Sequence, residues 1–140
     1  MQYFGIGLFL VCALAMLNVA SVRAEDKPAE TRCFEMRTYT AAPGKLKELH
    51  DRFRNHTNAL FTKHGMTMIG YWTPAEGEKK DNTLVYILAY PSREARETAW
   101  KAFQDDPDWK AAKAASEVNG KLVDKVESVF LNPTDYSPIK

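Results

Sequence analysis

Extended segments and helices are written into the chain as changes of hydrophobic period. Residues 33–40 (CFEMRTYT) alternate with period two, Phe34 and Met36 on one side and Glu35, Arg37 and Tyr39 on the other, and carry the β-branched and aromatic content of a strand. The period then lengthens. After Pro43-Gly44, whose proline suits a first helical turn, Leu46, Leu49, Phe53, His56 and Leu60 recur three or four apart, which predicts one helix with all five on its apolar stripe, ended by Gly65. Residues 67–73 (TMIGYWT) read as a second strand, 75–82 as a charged loop, and 83–90 (TLVYILAY) as a third strand, so that the second and third form a hairpin. Ser92 is the expected N-cap of a helix bearing Ala99, Trp100 and Phe103. Asp106-Pro107 restarts it, Asp as N-cap and Pro at the first position, for 107–118 until Asn119-Gly120, and 122–131 (LVDKVESVFL) is the last strand.

The order β-α-β-β-α-β, with the second helix in two pieces, is that of an α+β ferredoxin-like sandwich: an antiparallel sheet with helices on one face. The expected uncovered face shows Glu35, Arg37 and Tyr39 from the first strand, Tyr86 and Tyr90 from the third, and Lys125, Glu127 and Val129 from the last. So much aromatic area is an exposed patch that a second copy would cover, which predicts a homodimer pairing as an α/β barrel around a cavity.

Composition narrows the partners. Nineteen Lys and Arg against eighteen Asp and Glu give a formal charge of +1, with no run of like charges, and nucleic acid is not an expected partner. Residues 4–22 are almost wholly apolar and are followed by Val22-Arg23-Ala24 and a charged stretch, the form of a signal peptide spanning 1–24 and cleaved after Ala24. Export then ends in the periplasm or outside the cell, and a membrane enters only if the segment stays uncleaved as an anchor. Cleavage removes Arg23 and Cys12 and leaves a mature chain of zero formal charge with one cysteine, Cys33, so no internal disulfide can form. Cys33 opens an apolar run and reads as a buried small hydrophobe. The polar stretch 25–31 reads as a linker, 32–133 as the domain and 134–140 as a tail.

Five pieces occur in order within matching elements: Phe34-Glu35-Met36-Arg37-Thr38-Tyr39, Pro43-Gly44-Lys45, Lys63-His64-Gly65, Gly70-Tyr71-Trp72 and Asp106-Pro107-Asp108-Trp109. Together they resemble the NIPSNAP family over 32–133. The resemblance implies the dimeric α/β barrel superfamily, two ferredoxin-like halves making one barrel, with a homodimer supplying the second half to this single-copy chain. Phe34 stands where the family commonly has tyrosine, and a secretory signal replaces the mitochondrial targeting of animal relatives. Some members of the superfamily are cofactor-free monooxygenases, isomerases or haem-handling proteins.

Candidate chemistry is sparse. Glu35, Arg37 and Tyr39 stand two apart on one strand and can hold an anion or a polar ligand, Arg37 as a fork and Tyr39 as a hydroxyl donor, or else form an ion pair of Arg37 with Glu35 or Glu127 that fixes register. His56, on the helical stripe, is an inward general base, a haem ligand or a core histidine. His50 and His64 are placed too far round or along the helix to share a metal ion with it, and no HxxxH or CxxC occurs, so no metal site is expected. Tyr71, Trp72 and Tyr86 add aromatic wall for a flat hydrophobic molecule, or simply core. GxSxG, the P-loop and GxGxxG are missing. The sequence therefore predicts an exported dimer binding a small, partly apolar ligand, with no cofactor assigned and haem left open. Whether it is an enzyme or a non-catalytic interaction module is undecided.

Overall fold

The computed structural model describes residues 32–140, and the segment 1–24 expected to be a signal peptide lies outside them. Four strands, β1 (Cys33–Ala41), β2 (Thr67–Trp72), β3 (Thr83–Tyr90) and β4 (Val123–Leu131), form one antiparallel sheet in the order β2-β3-β1-β4. Helices α1 (Leu46–Arg52) and α2 (Asn58–Lys63) connect β1 to β2, and α3 (Arg93–Asp105) and α4 (Pro107–Ser116) connect β3 to β4. This is the expected ferredoxin-like sandwich. Among the described residues no helix is long and apolar enough to cross a membrane.

Local chemistry accounts for the element ends. Gly65, at φ +75°, follows α2 and lets the Met66 N–H reach the Phe61 carbonyl at 2.9 Å, a helix stop that requires a left-handed residue. Ser92 caps α3 by accepting the Ala95 N–H, and Asp106 caps α4 by accepting the Asp108 N–H at 2.8 Å ahead of Pro107. Pro43-Gly44 forms a turn two residues before α1 rather than its first turn.

The first helix is not uniform. Phe53–Thr57 forms a π-helical turn between α1 and α2, and its wider winding brings Thr57, not His56, to the inward position after Phe53. His56 is exposed. The expectation of an inward histidine fails because it assumed 3.6 residues per turn throughout.

The larger correction concerns the sheet faces. Glu35, Arg37 and Tyr39 lie opposite Leu88, Tyr86 and Leu84 of β3 and Phe130, Ser128 and Val126 of β4, and this is the face the helices cover. Tyr86, Tyr90, Leu84, Leu88 and Leu122 are all almost completely buried there with Phe53, Phe61, Trp100 and Phe103. Each such apolar side chain contributes about 1.5–3 kcal/mol by leaving water. The uncovered face instead carries Phe34, Met36 and Thr38 of β1, Val85 and Ile87 of β3, and Glu127 and Val129 of β4. The final residues fold back beside it: Phe34, Ile87, Leu131, Pro133 and Ile139 line one shallow groove, and Arg32 Nη1 donates to the Lys140 carbonyl at 3.4 Å.

On β2, an irregularity between Met68 and Gly70 keeps Tyr71 opposite Tyr86 and Trp72 opposite Val85. The Trp72 indole lies across Gly70, where a Cβ would stand 2.5 Å from Cη2. Gly70→Ala is expected to lift the indole and shift tryptophan emission to the red while far-UV circular dichroism is retained. Unchanged emission would show that the ring does not depend on the glycine.

Candidate functional site

Under the helices, a buried carboxylate organises the centre of the sheet. Glu35 is 0% exposed and accepts at Oε1 from Arg37 Nη1 (2.7 Å), Arg96 Nη2 (2.7 Å) and Ser128 Oγ (2.6 Å), and at Oε2 from Arg96 Nε (2.9 Å), Tyr90 Oη (3.1 Å) and Trp100 Nε1 (3.2 Å). Burial by itself would raise its pKa. The hydrogen bonds from Arg96 and Ser128 and the charge of Arg37 outweigh burial and bring the carboxyl down to about 2. Every lone pair is used, so Glu35 is a fixed anion rather than a proton carrier or a ligand contact.

Arg37 stands between this cluster and open space. Its guanidinium lies 4.2 Å from the centroid of Trp100 and 5.6 Å from that of Tyr39, and its Nε is buried without a protein partner. Beyond it a cleft of about 640 Å³ opens between the sheet and α4, walled by Tyr39, Phe53, Trp100, Phe103 and Trp109. At its other side Arg52, with a side chain 4% exposed, donates from Nη1 to Glu117 Oε1 at 2.8 Å, lies 5.2 Å from the Trp109 centroid, and likewise keeps Nε unpartnered. Its volume lies within the range of about 300–1,000 Å³ common to pockets for small molecules.

The cleft exists because α3 and α4 cover β1 and β3 but leave the helix side of β4 half open. Val126 is 44% exposed and lines the cleft, and Phe130 is 37% exposed under the Arg93 guanidinium. The π-helical turn shapes the opposite wall, since it points both Phe53 and Thr57 at the cleft.

The sequence candidates separate accordingly. Arg37 and Tyr39 line the cleft, Glu35 holds Arg37 from behind, and the alternative pair with Glu127 is not formed, because Glu127 lies on the other face of the sheet. Tyr86 is 0% exposed beneath the cleft, with its hydroxyl unpartnered and its pKa pushed up by burial. Tyr71 donates to Asn58 Oδ1 at 2.9 Å, and with Trp72 lines a separate groove at the β2 edge. His56 lies in a surface groove between α1 and α4. His64 is likewise structural: its Nε2 is 2.7 Å from Asp106 Oδ2, which Lys63 also approaches at 2.8 Å. Among the described residues no group of three His, Cys, Asp or Glu is placed to hold a metal ion.

Sequence reasoning did not find Arg52, Thr57 or Phe103 as cleft residues. Arg52 carried a weak signal, an arginine directly before the inward Phe53, but its burial needs Ser116 and Glu117 from the distant end of α4.

A sequence model of the NIPSNAP family matches residues 34–138. An uncharacterised NIPSNAP domain protein from Burkholderia xenovorans is similar at 27% identity, over 76% of this chain and 98% of that one, with a TM-score of 0.64. A NIPSNAP family protein from Agrobacterium tumefaciens aligns at 25% identity over 78% and 99% of the two chains, with a TM-score of 0.68. SnoaB, a cofactor-independent oxygenase from Streptomyces nogalater, shares the fold at 18% identity, over 77% and 98%, with a TM-score of 0.51. Among curated proteins none matches the chain.

The Glu35 cluster makes a pH prediction. A carboxyl lowered from its ordinary 4.5 to about 2 contributes stability that is complete above pH 4.5 and is lost as pH falls through about 2. Glu35→Gln is expected to cost about 3–5 kcal/mol near neutrality by leaving two guanidiniums facing a neutral amide. It should also flatten the acid limb of the stability curve between those values. Chemical denaturation at several pH values checks both, and an acid limb equal to that of the unaltered protein would remove Glu35 from this role.

Proposed function

The chain belongs to the NIPSNAP family, and on that premise we propose that it is an exported homodimer whose subunits each bind a small, partly apolar ligand in the cleft between sheet and helices. The observation that carries the reading is the cleft itself, about 640 Å³ with six aromatic side chains in its lining, the buried Arg52 at one side and the half-buried Arg37 at the other. Its floor offers guanidinium, hydroxyl and ring faces, groups that bind and orient. The nearby carboxylate, Glu35, is enclosed and saturated, and supports binding by holding Arg37 in place.

The uncovered sheet face supports the pairing. Met36, Val85 and Ile87 are only half covered, and Val129 is 49% exposed. An apolar sheet face of this kind is stabilised by packing on another, and a second copy presents the matching surface about a two-fold axis. The apolar segment 4–22 followed by Val22-Arg23-Ala24 supports export. The resemblance of this fold to an oxygenase adds no activity to the proposal.

Ile87→Glu, at the centre of the uncovered face, is expected to give a folded monomer by light scattering, with native circular dichroism. A dimer that persists would overturn the sheet-to-sheet pairing. Native mass spectrometry with an absorbance spectrum, on protein from the envelope fraction of its own host, tests the rest. Two chains starting at Glu25 with a stoichiometric adduct are expected. Full-length chains recovered from the cytoplasm would overturn export, and an empty dimer would favour the interaction module.

A further inference from the structure

We propose that the ligand of the cleft is a small planar acid, its anionic group met by Arg37 and its flat body held along Trp100, Phe103 and Trp109. The inference rests on the cleft being a binding site, and names the chemical class it takes. Three observations carry it.

The buried charges do not balance. One carboxylate, Glu35, serves two guanidiniums, Arg37 and Arg96. Arg96 finds a second anion in Glu97 at 3.2 Å, but Arg37 has Glu35 alone. Its side chain is 13% exposed, and a charge so enclosed is costly unless compensated. An anion in the cleft supplies the missing half.

Donor capacity is also left over. Arg37 and Arg52 both line the cleft, both keep a buried Nε without a protein partner, and the Arg52 side chain is more than nine-tenths buried. A guanidinium fork with unused donors beside a cavity suits a carboxylate, which offers two acceptors in one plane.

The charge around the cleft is concentrated beyond what the chain as a whole carries. Arg37, Arg52, Lys110, Lys113 and Lys121 line it with only Glu117 and Asp124 as counter-charges, in a protein of formal charge +1. Glu117 is spent on Arg52, and Asp124 pairs with Lys121 at 3.0 Å. Lys110 lies 3.9 Å from Asp105, and the exposed Lys113 has no ion-pair partner among the described residues, so the mouth keeps an attractive field for anions. The aromatic walls select a flat body: Phe103 and Trp109 lie with ring centroids 4.5 Å apart, and Trp100 turns its face to Arg37.

The test uses two fluorescent probes of one shape, anionic 1-anilinonaphthalene-8-sulfonate and neutral N-phenyl-1-naphthylamine, titrated into the purified protein at low and high salt. Binding of the anion about tenfold tighter than the neutral probe, at one site per chain, is expected. Arg37→Met should remove most of that preference. Lys113→Glu, on the exposed rim where folding is not at risk, should weaken the anion several-fold at low salt and little at high salt. Equal binding of both probes would overturn the acid while leaving the cleft as a binding site. Binding of neither would overturn the cleft reading and the acid with it. Anion binding indifferent to both substitutions would place the probe elsewhere and overturn the proposal.

Discussion

A carboxylate at zero exposure is an expensive thing to place at the centre of a sheet, and Glu35 determines what must surround it. Taken out of water, the ionised group needs donors on every lone pair. They come from four places: Arg37 on its own strand, Tyr90 on β3, Ser128 on β4, and Arg96 and Trp100 on α3. The requirement therefore fixes the register of three strands and the seat of one helix at once. A slip of one residue between β1 and β4 would carry Ser128 to the other face and leave the carboxylate short. The same cluster pins the Trp100 ring beneath Arg37 and so positions the innermost part of the cleft.

The cleft follows from incomplete coverage. Two helical connections over a four-stranded sheet cover the middle strands and leave an edge, and here the edge is the helix side of β4. Arg52 ties α1 to the end of α4 through Ser116 and Glu117, while Asp106 ties the α3–α4 junction to α2 through Lys63 and His64. These two links hold the roof at both ends. The π-helical turn completes the wall, because four-residue spacing from Phe53 through Thr57 to Phe61 keeps three consecutive inward positions over the sheet.

Local patterns carried most of the architecture. The strands were legible in period-two runs, and β3 matches at both ends because its apolar run is bounded by turn residues. The caps at Ser92 and Asp106 and the stop at Gly65 were legible because each is a short-range hydrogen-bond geometry that names its own residue. Of the candidate site, Arg37 and Tyr39 were found, and Arg52 and Thr57 were not. Thr57 was hidden by the assumption of a regular helix, which gave its inward place to His56.

Alternation along β1 determined that Phe34 and Met36 share one face and Glu35, Arg37 and Tyr39 the other, since that is a property of an extended backbone alone. It could not determine which face the helices take. By hydrophobicity Phe34 and Met36 belong inside, yet the helices cover the polar set, because Arg96, Trp100 and Tyr90 arrive from distant segments to satisfy Glu35. A charged group is cheap to bury only when its partners are already placed, and their placement is a fact of the tertiary fold. The sequence by itself determined the elements, their order and the family resemblance. The tertiary structure decided which face became the core, and with it where the cleft opens.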